Sequence, residues 1–348
     1  MTVGVVRFLV ADRSGKIIAD LAPEVGPVSE RLNDIGVVKF SLARGDASAT
    51  ETNLRYGNRV LIQFDNGLPD WAGVIGPPQT WDGHRIQCSA YSGEHMLGFR
   101  QTDRGRYFSG ASVGAIFAAV ISEASDNEPL GIEIGSVWTG GELHSPEYHY
   151  ESLLAIIRDS ICGKLSTADF DVSGQEIAGK IVFTANLYQR KGISRANIAL
   201  MEGHNISAAK LNEQGPIVNW IDLAGQGNGW GDDRLVSNVA DATSRTVYGL
   251  RQASAVYSDV VLQGTLDAHA ANLLAESKDP HRLIELEAVD VRDPGTDAAL
   301  PGGFGSYGVG DSVRVILPSY GFGGTDVMVR ILAREYSQGK CKLVVRTE

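Results

Sequence analysis

The sequence predicts an α+β fold, mostly β, with two small β-barrel-like units at the ends of the chain and an α+β region between them. Three observations carry this. Both ends consist of short apolar or alternating runs separated by glycine turns. The middle holds two segments of helical period. The two ends also share an order of short motifs. The expected units are 1–98, 99–202 and 203–348. A length of 348 residues fits two or three domains at about 100–200 residues each.

The elements are taken in chain order. Val5–Val10, the turn Asp12-Arg13-Ser14-Gly15 and Lys16–Leu21 make a hairpin. Val37–Leu42 alternates apolar and polar residues. Arg59–Phe64, Trp71–Ile75 (after the turn Asp65-Asn66-Gly67) and Arg85–Ala90 come next as strands. Ser112–Ala124 carries Val113, Ile116, Phe117, Val120 and Ile121 at helical spacing, and Tyr150–Ile161 reads as a second helix. Strands are expected at Ala168–Val172, Lys180–Leu187 and Pro216–Leu223. Leu262–Glu276 reads as a helix with Leu262, Leu266, His269 and Leu273 on one stripe. Ile284–Val289, Ser312–Leu317, Val327–Leu332 and Lys340–Val345 return to β.

Composition excludes several classes. An apolar share of 43% is too high for a disordered chain. No run of about 20 apolar residues offers a membrane span, and the first residues lack the pattern of a signal peptide. The net charge of −11 argues against a nucleic-acid-binding face and against sequence-specific nucleic-acid binding, because phosphate recognition needs clustered Lys and Arg. Cys88, Cys162 and Cys341 are odd in number and widely spaced, which fits a reducing compartment and no metal signature. No cofactor is expected.

The shared motif order reads as an internal repeat. Tyr56-Gly57, Arg59–Ile62, Gly73-Val74-Ile75, Gly83 and Ile86-Gln87-Cys88 are matched by Tyr307-Gly308, Ser312–Ile316, Arg330-Ile331-Leu332, Gly339 and Cys341-Lys342-Leu343. An alternating strand, Val37–Leu42 or Ile284–Val289, precedes each copy.

These residues resemble the baseplate-hub, or tail-hub, proteins of tailed bacteriophages and related injection machines. The resemblance lies in Tyr56-Gly57-Asn58-Arg59-Val60 leading into Trp71–Ile75 and then a strand ending Ala90-Tyr91-Ser92. Gly310–Val315 before a last hairpin with Arg330-Ile331 is also similar, as is Tyr248-Gly249 followed by the Leu262–Glu276 helix. The resemblance implies a homotrimeric ring at the virion tail tip, assembled in the host cytoplasm. Its implied partners are a tail tube or distal tail protein, a tape-measure protein, and tip spike, fibre or receptor-binding proteins. Two similar units per chain would let three chains imitate six-fold symmetry. Because the sequence stops after its last expected strand, any fibre, spike or hydrolase is expected on a separate chain.

Catalytic signals are sparse, and no catalytic, cofactor or metal residue is assigned. Gly110-Ala111-Ser112-Val113-Gly114 matches the G-x-S-x-G elbow, but the residues before it make a poor buried strand, so Ser112 reads as a helix cap. Asp159 and His204 lie downstream with nothing to bring them to Ser112. Glu142, His144, Glu147 and His149 form a polar segment whose spacing is not that of a zinc helix. Gly225–Gly231, ahead of a possible helix from Arg234, is superficially a phosphate loop but reads as a linker, and Asp232-Asp233 as a charged turn. The alternatives are a tail-associated hydrolase using Ser112 or the Glu142–His149 segment, and a carbohydrate-binding tail module using Trp71, Trp81 or Trp138.

Overall fold

The computed structural model describes residues 4–65, 67–102, 105–126, 128–214, 217–227, 234–258, 260–293, 299–320, 324–337 and 339–348. The fold is α+β and mostly β, built around one large sheet. Its strands run in the order Ile206–Gln214, His281–Val289, Lys340–Thr347, Thr325–Ser337, Glu24–Arg31, Val37–Ala43, Arg85–Ser92, Trp71–Trp81, Arg59–Phe64, Val5–Ala11, Ile17–Leu21. Ser312–Leu317 joins beside Thr325–Ser337, and Ser194–Met201 joins beside Ser312–Leu317. This order is open: the described strands do not close into a barrel. The reason is a joint in which Thr325–Ser337 pairs with Glu24–Arg31, so the two ends of the chain share one ladder.

Within that sheet the repeat is visible strand by strand. The first copy reads, across the sheet, Glu24–Arg31, Val37–Ala43, Arg85–Ser92, Trp71–Trp81, Arg59–Phe64, Val5–Ala11. The second reads Ile206–Gln214, His281–Val289, Lys340–Thr347, Thr325–Ser337, Ser312–Leu317, Ser194–Met201. Chain order is the same in both, with Ile17–Leu21 added to the first copy. Only the last pairing changes sense: Val5–Ala11 lies antiparallel to its neighbour, Ser194–Met201 parallel.

The backbone corrects the motif alignment. The Gly57 amide donates to the Ile75 carbonyl and the Ile75 amide to the Asn58 carbonyl, both at 2.8 Å. In the second copy the Gly310 amide donates to Ile331 at 2.8 Å and the Ile331 amide to Asp311 at 2.9 Å. Gly57-Asn58 therefore corresponds to Gly310-Asp311, not to Tyr307-Gly308, and Ile75 corresponds to Ile331. Both glycines have positive φ, 85° and 95°, which other residues adopt only with strain. The last motif keeps its expected register: Ile86 and Cys88 face Leu42 and Phe40, as Cys341 and Leu343 face Ala288 and Leu286.

Each copy has its own core. Phe8, Val10, Val38, Phe40, Val60, Ile62 and Ile75 fill the first; Ile284, Leu286, Val313, Val315, Ile331 and Leu343 fill the second. Between the copies in sequence, helix Val113–Glu123, a short α-turn at Leu153–Ala155 continuing as a π-helix over Ile156–Leu165, and strands Ile132–Val137, Asp169–Ile177 and Lys180–Tyr188 form a middle unit. Its core takes in Leu9, Leu61 and Val74 from the opposite face of the first copy's sheet.

Strand Glu24–Arg31 is not legible from sequence, since Gly26-Pro27 reads as a turn. The structure places Pro27 at a bulge, between the pairs Val25↔Phe40 and Val28↔Val38, where its missing N–H breaks no ladder bond. The second copy also holds an insertion between its Ile206–Gln214 and His281–Val289 strands. Here Trp220–Ala224, Val236–Ala240 and Gln252–Val256 form a small sheet, with helices Ala242–Tyr248 and Gln263–Ser277. The longer helix does not bury the expected stripe. Thr265, Leu266, His269 and Ala270 face inward, while Leu262 and Leu273 are exposed.

Candidate functional site

Sequence reading favours no catalytic centre, and the structure places the flagged residues apart. Ser112 caps helix Val113–Glu123: its Oγ accepts the Ala115 amide at 3.2 Å. Strand pairing sets Leu143 opposite Ser112, but the His144 ring turns inward and stacks on His269 instead, with its Nδ1 unpartnered. Asp159 pairs with the adjacent Arg158, and His204 is exposed. The segment Glu142–His149 splits in two, because Leu143–His144 pairs with Ala111–Ser112 and Glu147–Tyr148 with Arg106–Tyr107. Glu147 then meets its neighbour His149, at 3.2 Å. Among the described residues no group of three or more His, Cys, Asp or Glu side chains is set to hold a metal.

Asn228–Gly231 and Asp232-Asp233 lie outside the described residues. The next element in the chain is strand Val236–Ala240, not the helix expected from Arg234. The helix after that strand is already capped, its Ser244 amide donating to Asp241 at 2.8 Å. Of the three tryptophans, Trp71 is core, its indole N–H donating to the Ser29 carbonyl at 3.1 Å. Trp138 is half-buried, and Trp81, 65% exposed, stands at the start of the Asp82–His84 turn between its strand and Arg85–Ser92.

The concentrated polar chemistry lies where the three units meet. A bulge in Thr325–Ser337 between Ile331 and Ala333 shifts the side-chain phase, so that Val329 and Ile331 point inward before it and Arg334 and Tyr336 after it. Arg334 is thereby 3% exposed. It pairs with Glu30 across the joint, donates to the Tyr307 carbonyl at 2.6 Å, and lies over the Tyr336 ring. Burial disfavours its charge, but Glu30 more than compensates, and the guanidinium is held firmly protonated.

Asp169, 2% exposed, ties all three units. It accepts from Asn33 of the first copy at 3.2 Å, from the Lys191 amide at 2.7 Å, and from Arg330 of the second copy. Arg59 does similar work between the first copy and the middle unit, donating to the carbonyls of Ile181 at 2.8 Å and Arg13 at 3.1 Å. Asp311 accepts the Ile193 amide at 2.8 Å and Arg195 at 3.0 Å. A cavity of about 320 Å³ opens at this junction, lined in part by Glu30, Asp34, Trp71, Glu94, Lys191 and Arg334. Burial raises the Glu94 carboxyl above its ordinary range, while its Oε1 accepts the Val172 amide at 2.9 Å. Sequence reading missed these residues because a buried charge looks like a surface charge until a bulge sets its phase.

This arrangement fixes units to one another. Three solved structures share the fold of this chain over nearly its whole length. The 43 kDa tail protein of prophage MuSo2 from Shewanella oneidensis aligns with a TM-score of 0.62 at 12% identity, covering 98% of each chain. The chain has the fold of phage tail proteins. The prophage tail protein gp18 from Listeria monocytogenes gives 0.62 at 14% identity, covering 98% of this chain and 94% of that one. A tail protein from Neisseria meningitidis gives 0.62 at 14%, with 98% and 97% covered. A component of the type VI secretion system of E. coli also aligns, at 0.55 and 9% identity, over 94% of this chain and 75% of that one. No protein-family model and no curated protein matches the chain.

Proposed function

We propose that this protein is the structural hub of a phage tail tip: a homotrimeric ring that joins the tail tube to the tip or receptor-binding apparatus and lets DNA pass. The observation that carries the reading is the repeat. One chain holds two copies of a six-strand layout, and a shared ladder fixes them side by side. Three such chains around an axis present six similar modules to a six-fold tube while keeping three-fold symmetry on the other side. The units 1–98, 99–202 and 203–348 are then two ring-forming ends and a middle unit that grips tip proteins. Strand Ser194–Met201 is lent by the middle span to the last sheet.

The same reading makes the protein non-enzymatic and a component of the virion tail, assembled in the host cytoplasm. Its partners are a tail tube or distal tail protein, a tape-measure protein, and separate spike, fibre or receptor-binding proteins. The net charge of −11 suits a conduit, since carboxylates repel passing phosphates. An obligate ring of this kind should bury more than about 2,000 Å² at each subunit contact. Size-exclusion chromatography with light scattering tests the proposal. A trimer, or a monomer that trimerises on its tail partner, is expected; a stable dimer overturns it.

A further inference from the structure

Strand Thr325–Ser337 serves two neighbours in turn. Its first half pairs with Ser312–Leu317, and Ala333–Tyr336 then pairs with Val28–Arg31 to make the joint between the copies. Each side of that joint has an equivalent in the other copy. Trp81 faces Ile86 as Tyr336 faces Cys341, so Trp81 corresponds to Tyr336 and Thr80 to Glu335. Leu211 faces Ile284 as Val28 faces Val38, so Leu211 corresponds to Val28 and Asn212 to Ser29. Within the joint Tyr336 lies opposite Val28, and the two are 2% and 1% exposed. Their equivalents have no such cover: Trp81 is 65% exposed, and Leu211 is half-buried against the second core. The pairing of Trp71–Trp81 with Arg59–Phe64 ends at Val74. Among the described residues no strand pairs with Thr80-Trp81 beyond Val74 on that side. None pairs with Leu211–Gln214 on the side away from His281–Val289.

We propose that Gln79–Trp81 of one chain pairs antiparallel with Leu211–Glu213 of a second copy, with Trp81 set opposite Leu211. The contact repeats between chains the joint that Thr325–Ser337 and Glu24–Arg31 make within one. It rests on the hub reading for the number of chains, and it names the surface by which they meet. Both strand edges present backbone N–H and C=O groups that a matching strand can satisfy. Trp81 stands on the same face as the buried Ile86, and Leu211 on the same face as the buried Ile284. Pairing therefore carries the apolar face of one first copy into that of the next second copy, and takes a large indole out of water. Pro77 and Pro78 fall in the bulge between Gly76 and Thr80, and without N–H groups they confine the new ladder to the residues after them. Because the first copy of each chain meets the second copy of the next, the contact is head-to-tail, the kind that closes into rings.

Disulfide trapping of the full chain tests this. The double variant Thr80→Cys, Asn212→Cys places two cysteines at the equivalent of the pair Glu335↔Ser29. Six strands separate the two positions within one chain, so a bridge between them must join two chains. Mild oxidation should give linked chains on a non-reducing gel, with about ten-fold less from either single variant. Adding Trp81→Ala should lower the yield about ten-fold. It should leave the thermal unfolding of the single chain unchanged, because the indole is exposed there. In the otherwise native chain, Trp81→Ala should shift light scattering toward the monomer, which reads the contact without any new cysteine. Absence of the cross-link overturns the proposal, as does cross-linking that Trp81→Ala leaves undiminished. A trimer without the cross-link overturns this joint alone and leaves the hub reading standing. A cross-linked stable dimer supports the joint and overturns the hub reading.

Discussion

The two copies differ most in how many of their faces are dry. The first copy packs on both. Leu9, Leu61 and Val74 point into the middle unit, while Phe8, Val60, Ile62 and Ile75 point into its own core. Its strands accordingly read as unbroken apolar runs, as in Phe8–Ala11 and Val60–Ile62. The second copy keeps one face in water, and its strands alternate: in His281–Val289, Ile284, Leu286 and Ala288 are buried while Glu285 is exposed. One topology thus carries two sequence patterns, and the pattern reports what lies against each face rather than which strand it is.

Equivalent positions allow the comparison to be broken directly. Arg59 aligns with Ser312 through the shared turn, so Leu61 corresponds to Arg314. Leu61 is wholly buried under the middle unit, whereas Arg314 is exposed and pairs with Asp326. Leu61→Ala should lower unfolding stability by about 3–4 kcal/mol in urea denaturation. Arg314→Ala should leave the midpoint unchanged within error. Equal losses at both sites would mean that the two faces are not differently covered.

The joint between the copies comes next. Arg334→Met removes one partner of a buried pair and leaves Glu30 and the Tyr307 carbonyl uncompensated. The Glu30 side chain is 22% exposed, so the loss should sit near the lower end for such pairs, about 3 kcal/mol, read from the same urea transitions. A neutral or stabilising result would show that the joint is held by its backbone ladder and apolar packing alone. A smaller loss than at the joint is expected outside both copies. Ser112→Ala removes a helix cap and should cost about 1 kcal/mol. Labelling by a fluorophosphonate probe should be absent before and after the substitution; labelling that disappears with it would install the hydrolase reading.

Much of the β layout is legible because period and turn chemistry coincide. Arg59–Phe64 and Ser312–Leu317 fall where the apolar runs and the turns before them put them, and Ser112 caps the helix that the spacing of Val113, Ile116, Phe117 and Val120 predicts. The repeat is legible as an order of motifs but misaligns at Tyr307-Gly308, because Tyr-Gly looks like the signal while the backbone needs Gly followed by a residue whose carbonyl meets Ile331. Glu24–Arg31 is hidden by Pro27, and the insertion's two outer strands, Val236–Ala240 and Gln252–Val256, by five-residue lengths with weak periodicity, while its central strand Trp220–Ala224 falls within the expected Pro216–Leu223. The buried charges at Asp169 and Arg334, and the inward face of the helix carrying His269, depend on contacts more than 100 residues away in the chain or on a bulge, and local pattern encodes neither.

The ladder between Glu24–Arg31 and Thr325–Ser337 has a consequence for recognition. Were the two ends of the chain linked by a loose tether, they would sample many mutual orientations, and any body docking across both would have to freeze one of them at an entropic cost. Four consecutive residue pairs, Arg31↔Ala333 to Val28↔Tyr336, settle that orientation during folding. A docking surface spanning the two ends is then preorganised before its counterpart arrives.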